Sequence, residues 1–259
     1  MNQEFKKEVS TLIKGVKAKF GIAVTDLNKK NLFLYNADEV FPAASIIKIP
    51  ILIELLCQVQ KKKNNLKKRD TLKNSDKVGG SGVLQFMDND LKPTVLDLAK
   101  LMIIISDNTA TNMLIDILGM DAVNKMMRSL GIVKTVLGRK LHIDPKALTS
   151  KNFATPRDIM ILLEKIYDKN FMQPKYRDMA LNILSEQQYN DKISADFPED
   201  VKFAHKTGEI NSVRSDAGIV LNKDNPFIIV VLTKNVENIK KVDQIISKIG
   251  LLALKFWGR

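Results

Sequence analysis

The chain has 259 residues, 45% of them hydrophobic and 27% charged, and a formal net charge of +12. This length can build one large domain or two closely packed ones around a buried core, and the composition excludes a disordered chain. The longest apolar runs, such as residues 49–56, are too short to cross a bilayer. The single cysteine, Cys57, excludes an internal disulfide and is expected to be buried among apolar residues.

The first third of the chain predicts a helix, a hairpin and a second helix. Residues 1–19 form an amphipathic pattern that lysines interrupt, without the apolar segment of a signal peptide. As it stands, the chain is therefore expected to stay in the cytoplasm, and export would require a leader removed from a longer precursor. Residues 20–27 and 32–35 predict a β-hairpin, and residues 45–60 predict a helix with Pro50 near its first turn.

The middle of the chain is predicted to be mostly helical, and its last part returns to strands. Helices are expected at residues 94–105, 108–118, 121–130 and 156–167, with Asp121 as an N-cap, Gly131 as a terminator and Thr155 as an N-cap. Strands are expected at 201–206, 214–221 and 227–233, followed by a long amphipathic helix at 236–257.

This order of elements predicts an α+β fold. Strands from both chain ends are expected to pair into one antiparallel sheet flanked by helices, an α/β sandwich. We predict a discontinuous α/β lobe from residues 1–44 and 196–259, and an all-helical lobe from residues 45–195. The cleft between the lobes is the expected place for a site.

Three short motifs carry chemistry. Ser45 and Lys48 lie three residues apart at a helix start, so hydroxyl and amine share one face, and a neutral lysine could accept the serine proton. The others are Ser106-Asp107-Asn108, on a loop between helices, and Lys206-Thr207-Gly208, on a late strand. Purely structural roles stay open for each motif, as helix caps, a surface lysine, turn residues, or an ordinary strand and bulge.

The order and spacing of the motifs resemble the penicillin-recognising serine hydrolases, and class A β-lactamases most closely. The resemblance rests on residues 41–48, 106–112, 206–208 and 216–220, and it covers nearly the whole chain. It implies that Ser45 attacks an amide or lactam carbonyl and becomes an acyl-enzyme, helped by Lys48, while Ser106 relays a proton to the leaving nitrogen. The substrate, a small β-lactam or a peptidoglycan-type peptide, would contact Asn108 through an amide and Lys206 and Thr207 through its carboxylate, and Gly208 is also expected to line the substrate site.

The resemblance also implies an oxyanion site between the backbone N–H groups of Ser45 and Glu209. Arg214 is either a second carboxylate anchor or a solvated strand arginine. If Lys48 and Lys206 face one pocket, each ammonium lowers the pKa of the other. No cofactor and no metal are expected, because two histidines and one cysteine give no ligand cluster. His205 is expected to point away from the side that presents Lys206.

One departure from the family pattern concerns deacylation. The glutamate that holds the hydrolytic water in class A enzymes would fall near Leu141 or His142, and the chain has no glutamate between residues 122 and 157. Asp144 or His142 could act as the base instead, or Asp144 could cap a turn while His142 packs. The departure predicts ready acylation and slow deacylation.

Three competing functions stay open beside a β-lactamase. A D,D-peptidase or esterase would explain the missing glutamate, and a non-catalytic β-lactam sensor would keep its adduct. The basic clusters at residues 61–63 and 67–69 would suit nucleic acid. No aromatic residues interleave these lysines, which favours a solvated loop and no nucleic-acid partner. A monomer without a membrane partner is the expectation for the family.

Overall fold

The structure, a computed structural model, describes residues 2–27, 31–141, 151–222 and 225–258. Within these residues, antiparallel strands form one sheet in the spatial order β2-β1-β7-β6-β5, and β3 pairs with β4 separately. The strands are β1 Lys19–Asp26, β2 Leu32–Tyr35, β3 Phe41–Pro42, β4 Phe153–Ala154, β5 Phe203–Ile210, β6 Val213–Val220 and β7 Phe227–Lys234. The last strand in this spatial order, β5, carries the Lys206 motif on a sheet edge.

The helices surround this sheet and fill the centre of the chain. They are α1 Asn2–Ile13, α2 Lys48–Gln60, α3 Val95–Ile104, α4 Asn108–Leu118, α5 Met120–Ser129, α6 Pro156–Tyr167, α7 Pro174–Ser185 and α8 Ile239–Trp257. The α+β class and the antiparallel sheet drawn from both chain ends are therefore confirmed. None of the helices in the described residues combines the length and apolar character that crossing a membrane requires.

Several predicted boundaries need correction. The predicted helix at 45–60 starts as a 3₁₀ turn, Ala44–Ile47, before α2. Asp121 is not an N-cap, because α5 begins one residue earlier and its N-cap is Gly119. Asp121 lies in the first turn, where its negative charge interacts favourably with the helix dipole. Helix α8 begins at Ile239, because the side chain of Asn238 caps it by accepting a hydrogen bond from the backbone N–H of Lys241. Helix α7, which no predicted helix covered, starts at a proline.

Two apolar layers hold the sheet. Alternation along β1 sends Ile22 and Val24 toward α1 and α8, and Ala23 toward the central helices. On the outer layer, the ring of Phe5 packs edge-on against Phe33 and Trp257, with centroids 4.8 and 4.7 Å apart. The inner layer joins the sheet and the central helices in one apolar cluster. The division into two lobes with the boundaries given above stays a prediction.

The aromatic contact under α1 gives a stability prediction. Phe5→Ala should lower the free energy of unfolding by about 3 kcal/mol, because it leaves a cavity among packed rings. Urea denaturation followed by circular dichroism measures the loss. Phe86→Ala removes the same ring from a side chain that is 79% exposed, so it should change stability by less than about 0.5 kcal/mol. Equal losses in the two variants would contradict this account of the outer layer.

Candidate active site

Ser45 lies on a strained turn at the entrance to α2. Ala44, the residue before it, has a φ of +44°, which an L-residue adopts only when its surroundings enforce it. Ile46 and Ile47 are fully buried and anchor the turn, while Ser45 stays half-buried and lines a cleft. Lys48 follows as the first residue of α2 and is completely buried.

A chain of hydrogen bonds joins these two residues through Ser106. Ser106 Oγ lies 2.8 Å from Ser45 Oγ and 2.9 Å from Lys48 Nζ. Lys48 Nζ also donates to the backbone carbonyl of Ser106 at 2.6 Å and to Asn108 Oδ1 at 3.0 Å. The first two motifs therefore meet at one amine.

The partners of Lys48 fix the direction of a proton transfer. The carbonyl of Ser106 and Oδ1 of Asn108 only accept hydrogen bonds, so they take both hydrogens of a neutral amine. A protonated Lys48 donates to the hydroxyl of Ser106 as well, whereas the neutral amine would turn its lone pair toward that hydroxyl. A neutral Lys48 can accept a proton from Ser106, which can in turn accept the proton of Ser45.

Burial favours the neutral form of the Lys48 amine. Complete burial holds the pKa of Lys48 well below its usual value, and the positive charge of Lys206 lowers that pKa further. The carboxylate of Asp107 acts in the opposite direction and is the weaker influence. The expected effect of Lys206 on Lys48 is therefore present, whereas the causes that shift the pKa of Lys206 do not include Lys48.

The Ser106 loop is held by the buried carboxylate of Asp107. Its oxygens accept from the backbone N–H groups of Val83 (2.7 Å), Leu84 (2.9 Å) and Ala110 (2.8 Å), so the same side chain caps α4 and fixes the neighbouring loop. A Cβ on Gly82 would lie 2.3 Å from this carboxylate. Ser106 itself has a φ of +58°, a second strained residue in the same site.

The third motif lies beside the nucleophile because Gly208 lets two segments approach. A Cβ at Gly208 would lie 2.8 Å from Cγ1 of Ile46 and 3.3 Å from the carbonyl of Ala43. The adjacent Lys206 is completely buried and donates to the carbonyl of Thr207 at 3.0 Å. Burial lowers the pKa of Lys206 to about 7, although the carboxylates of Asp216 and Glu209 act to raise it.

Two residues near this strand have partners that the sequence did not reveal. Arg214 is opposite Glu209 in the strand register, and its guanidinium lies 3.7 Å from Glu209 Oε2 and 3.6 Å from Asp243 Oδ2 on α8. The solvated arginine of one sequence interpretation is therefore wrong, because this side chain is only 14% exposed. His205 is buried, 2.8 Å from Asp216 Oδ1 and 3.0 Å from Asn190 Oδ1.

The cleft has a volume of about 600 Å³ and contains Ser45, Asn108 and Glu209 in its walls. The remaining walls come from loops: Pro42, Ala44, Ser81, Arg139, Lys140, Leu141, Lys151, Asn152, Phe153, Ile210, Asn211 and Ser212. The sequence did not mark these loop residues because their proximity depends on the fold. No group of acids, histidines and cysteine that could hold a metal occurs within the described ranges.

Leu141, one of the two positions near which the family pattern leads us to expect a glutamate, lines the cleft. Asn112 holds it with two bonds: its Nδ2 donates to the Leu141 carbonyl at 2.9 Å, and its Oδ1 accepts from the Leu141 N–H at 2.8 Å. Asn112 belongs to the second motif segment but was not predicted as a site residue. His142 and Asp144, the alternative bases, lie outside the described residues.

Comparison with known proteins gives matches over nearly the whole chain. A sequence model described as "Beta-lactamase enzyme family" matches residues 4–257. Beta-lactamase SME-1 of Serratia marcescens is 25% identical over 96% of this chain and 87% of its own length. A crystal structure of a beta-lactamase from Sphaerobacter thermophilus is 32% identical, with a TM-score of 0.91 over 99% of this chain and 97% of that one. A mutant of PBP-A, solved as an acyl-enzyme complex with penicillin G, is 29% identical, with a TM-score of 0.89 over 98% of this chain and 96% of that one.

The lowered pKa of Lys206 predicts how stability depends on pH. The unfolded chain keeps the Lys206 proton up to about pH 10.5, whereas the folded protein releases it at about 7. Between these values the unfolded state binds more protons, so this lysine makes the free energy of unfolding rise with pH. Urea titrations at several pH values should show a steeper rise for the natural protein than for Lys206→Met. Parallel curves would contradict the assignment.

Proposed function

This chain belongs to the beta-lactamase enzyme family, and from that premise we propose how its residues carry out the reaction. It is a serine β-lactamase-like hydrolase that acts on β-lactam amide bonds. The observation that carries the proposal is the hydrogen-bond chain from Ser45 through Ser106 to Lys48. The roles of individual residues given below are proposals.

In the first step, Ser45 Oγ attacks the carbonyl carbon of the lactam amide. Its proton passes to Ser106 Oγ as the Ser106 proton passes to Lys48. An alkoxide-like nucleophile therefore forms at Ser45 without a histidine. When the C–N bond breaks, the ammonium of Lys48 returns its proton through Ser106 to the leaving nitrogen. Lys48 is then neutral again, and the products are an ester at Ser45 and an amine in the opened ring.

The backbone N–H of Glu209 is proposed to stabilise the oxyanion. Strand β5 is a sheet edge, and the carbonyl of Thr207 points to its free side, since it accepts from Lys206 Nζ. N–H and C=O groups repeat their direction every second residue, so the N–H of Glu209 points to the same free side. With the N–H of Ser45 it would provide two donors at the new charge.

The remaining motif residues bind the substrate in this proposal. One hydrogen of Asn108 Nδ2 is donated to the Gly79 carbonyl at 3.1 Å, and the second is available for an amide carbonyl of the substrate. Lys206 and Thr207 bind the carboxylate of the substrate at the sheet edge, where Gly208 keeps the strand close to Ser45.

Deacylation is proposed to be slow because an apolar side chain occupies the place of the expected base. Leu141 lines the same cleft as Ser45, and its backbone is fixed by Asn112. A leucine cannot remove a proton from water. The same observation favours a second candidate, a D,D-peptidase-like or sensor protein whose substrate is a peptidoglycan-type peptide. A monomer is proposed for both.

Intact-mass measurement after mixing with benzylpenicillin tests the acylation. The protein should gain the mass of one whole benzylpenicillin within the first turnover, because ring opening releases no fragment. The adduct should map to the peptide that contains Ser45. The loss of intact benzylpenicillin should show a burst of about one equivalent per protein, followed by slow turnover.

Two serine variants in the same cleft provide the matched control. Ser45→Ala should never gain the drug mass, whereas Ser81→Ala, another serine of the cleft wall, should be acylated with at most about a threefold change in rate. Adduct formation in Ser45→Ala, or steady turnover without a burst in the natural protein, would refute the proposal.

Leu141→Glu tests the account of deacylation. A carboxylate at this wall position should activate water and shorten the lifetime of the adduct by at least about tenfold, a modest share of what a general base contributes. Leu141→Gln has nearly the same shape without a basic group and should leave the lifetime unchanged. Time-resolved intact mass measures both, and equal lifetimes in the two variants would exclude Leu141 as the cause of slow deacylation.

A further inference from the structure

Beside the third motif, charged side chains form a network that the proposed mechanism does not use. Lys192 is completely buried and donates to Asp191 Oδ1 at 2.9 Å and to Glu209 Oε1. Arg214 lies between Glu209 and Asp243, with distances of 3.7 and 3.6 Å. The carboxylate of Glu209 is therefore the link between the two cations.

Glu209 is also the acid of this network that lines the cleft. Its side chain is 44% exposed, and it is the sole acid among the described residues that line the cleft. The same walls contain the bases Arg139, Lys140 and Lys151. Within the described part of the chain, the negative charge of the cleft wall is therefore confined to Glu209, and its other charged residues are basic.

The strand register places this carboxylate beside the proposed carboxylate anchor. Glu209 is two residues after Thr207, so both side chains lie on one face of β5. Arg214 and Asp216 are their partners across the strand pair, on the same face. A substrate carboxylate held by Thr207 would therefore lie next to a fixed negative charge.

The cations that could have attracted that carboxylate are already engaged. Lys192 is held by two carboxylates. Burial acts to lower its pKa, but the hydrogen bonds with Glu209 and Asp191 outweigh it and raise the pKa above its usual value. Arg214 has one acid on each side. Of the two anchors proposed above, Lys206 and Arg214, only Lys206 is free of a direct ion pair in the described residues.

We propose that Glu209 is a specificity-determining residue, an internal carboxylate that holds Lys192 and Arg214 and so disfavours substrates with a carboxylate beside the reacting amide. A substrate carboxylate would then depend on Lys206 and Thr207 alone, and a compound with a neutral group at this position would lose less from the charge of Glu209. This inference rests on the proposed function, because it concerns the substrate of the same Ser45 site.

The test compares acylation by benzylpenicillin and by its methyl ester, which differ only in the charge of the carboxylate. The second-order rate of adduct formation at Ser45 is measured by intact mass for the natural protein and for Glu209→Gln. In Glu209→Gln the acid should react about tenfold faster relative to the ester, since a repulsive charge is lost and Arg214 is released.

Two further variants separate selectivity from structure. Asp191→Asn removes the same formal charge from the same lysine but leaves Glu209 in place, so the acid-to-ester ratio should not change. Arg214→Gln added to Glu209→Gln should cancel most of the gain. The ratio is measured in one sample, so a partly unfolded preparation cannot imitate the effect.

The outcomes separate this inference from the function on which it rests. A raised ratio in Glu209→Gln with an unchanged ratio in Asp191→Asn supports the inference. An unchanged ratio, with both compounds still forming adducts, overturns the role of Glu209 and leaves the proposed function intact. A failure of both compounds to acylate the natural protein and Glu209→Gln overturns the proposed function and this inference together.

Discussion

The burial of two amines is the constraint on which this site depends. Lys48 and Lys206 are completely enclosed, and an ammonium group without water is costly unless it loses its proton. Burial therefore lowers the pKa of Lys48 and favours the neutral amine, which can act as a base. It also lowers the pKa of Lys206 to about 7. The hydroxyls of Ser106 and Ser45 then have a proton acceptor within a chain of hydrogen bonds.

The fold supports this constraint with close backbone contacts. Asp107 fixes the Ser106 loop and α4 with one carboxylate, and Gly208 brings the sheet edge against the turn that carries Ser45. Two residues of the site have positive φ values: Ala44, which precedes Ser45, and Ser106, which carries the second hydroxyl of the hydrogen-bond chain. Strain of this kind persists only where the surroundings enforce it, and here the surroundings are packed apolar residues such as Ile46 and Ile47.

The sequence predicted the elements and the three motifs better than it predicted their surroundings. Serine and lysine at helical spacing, and strands at both chain ends, follow from local patterns that need no tertiary information. The hydrogen-bonded bridge from Ser45 through Ser106 to Lys48 was not predicted in that form, because it joins residues that are 58 to 61 positions apart in the sequence. The partners of Arg214 and Lys192 were missed for the same reason: Asp243 and Glu209 lie on other elements, and no local pattern marks them.

An NMR titration of lysine side chains labelled with ¹³C and ¹⁵N tests the central claim most directly. The signal of Lys48 is identified by its loss in Lys48→Arg, and its titration is compared with that of exposed lysines such as Lys17. A Lys48 amine that loses its proton at clearly lower pH than the exposed lysines is the predicted result. A Lys48 that titrates together with the exposed lysines would contradict the account, because a permanent ammonium cannot accept the proton of Ser45.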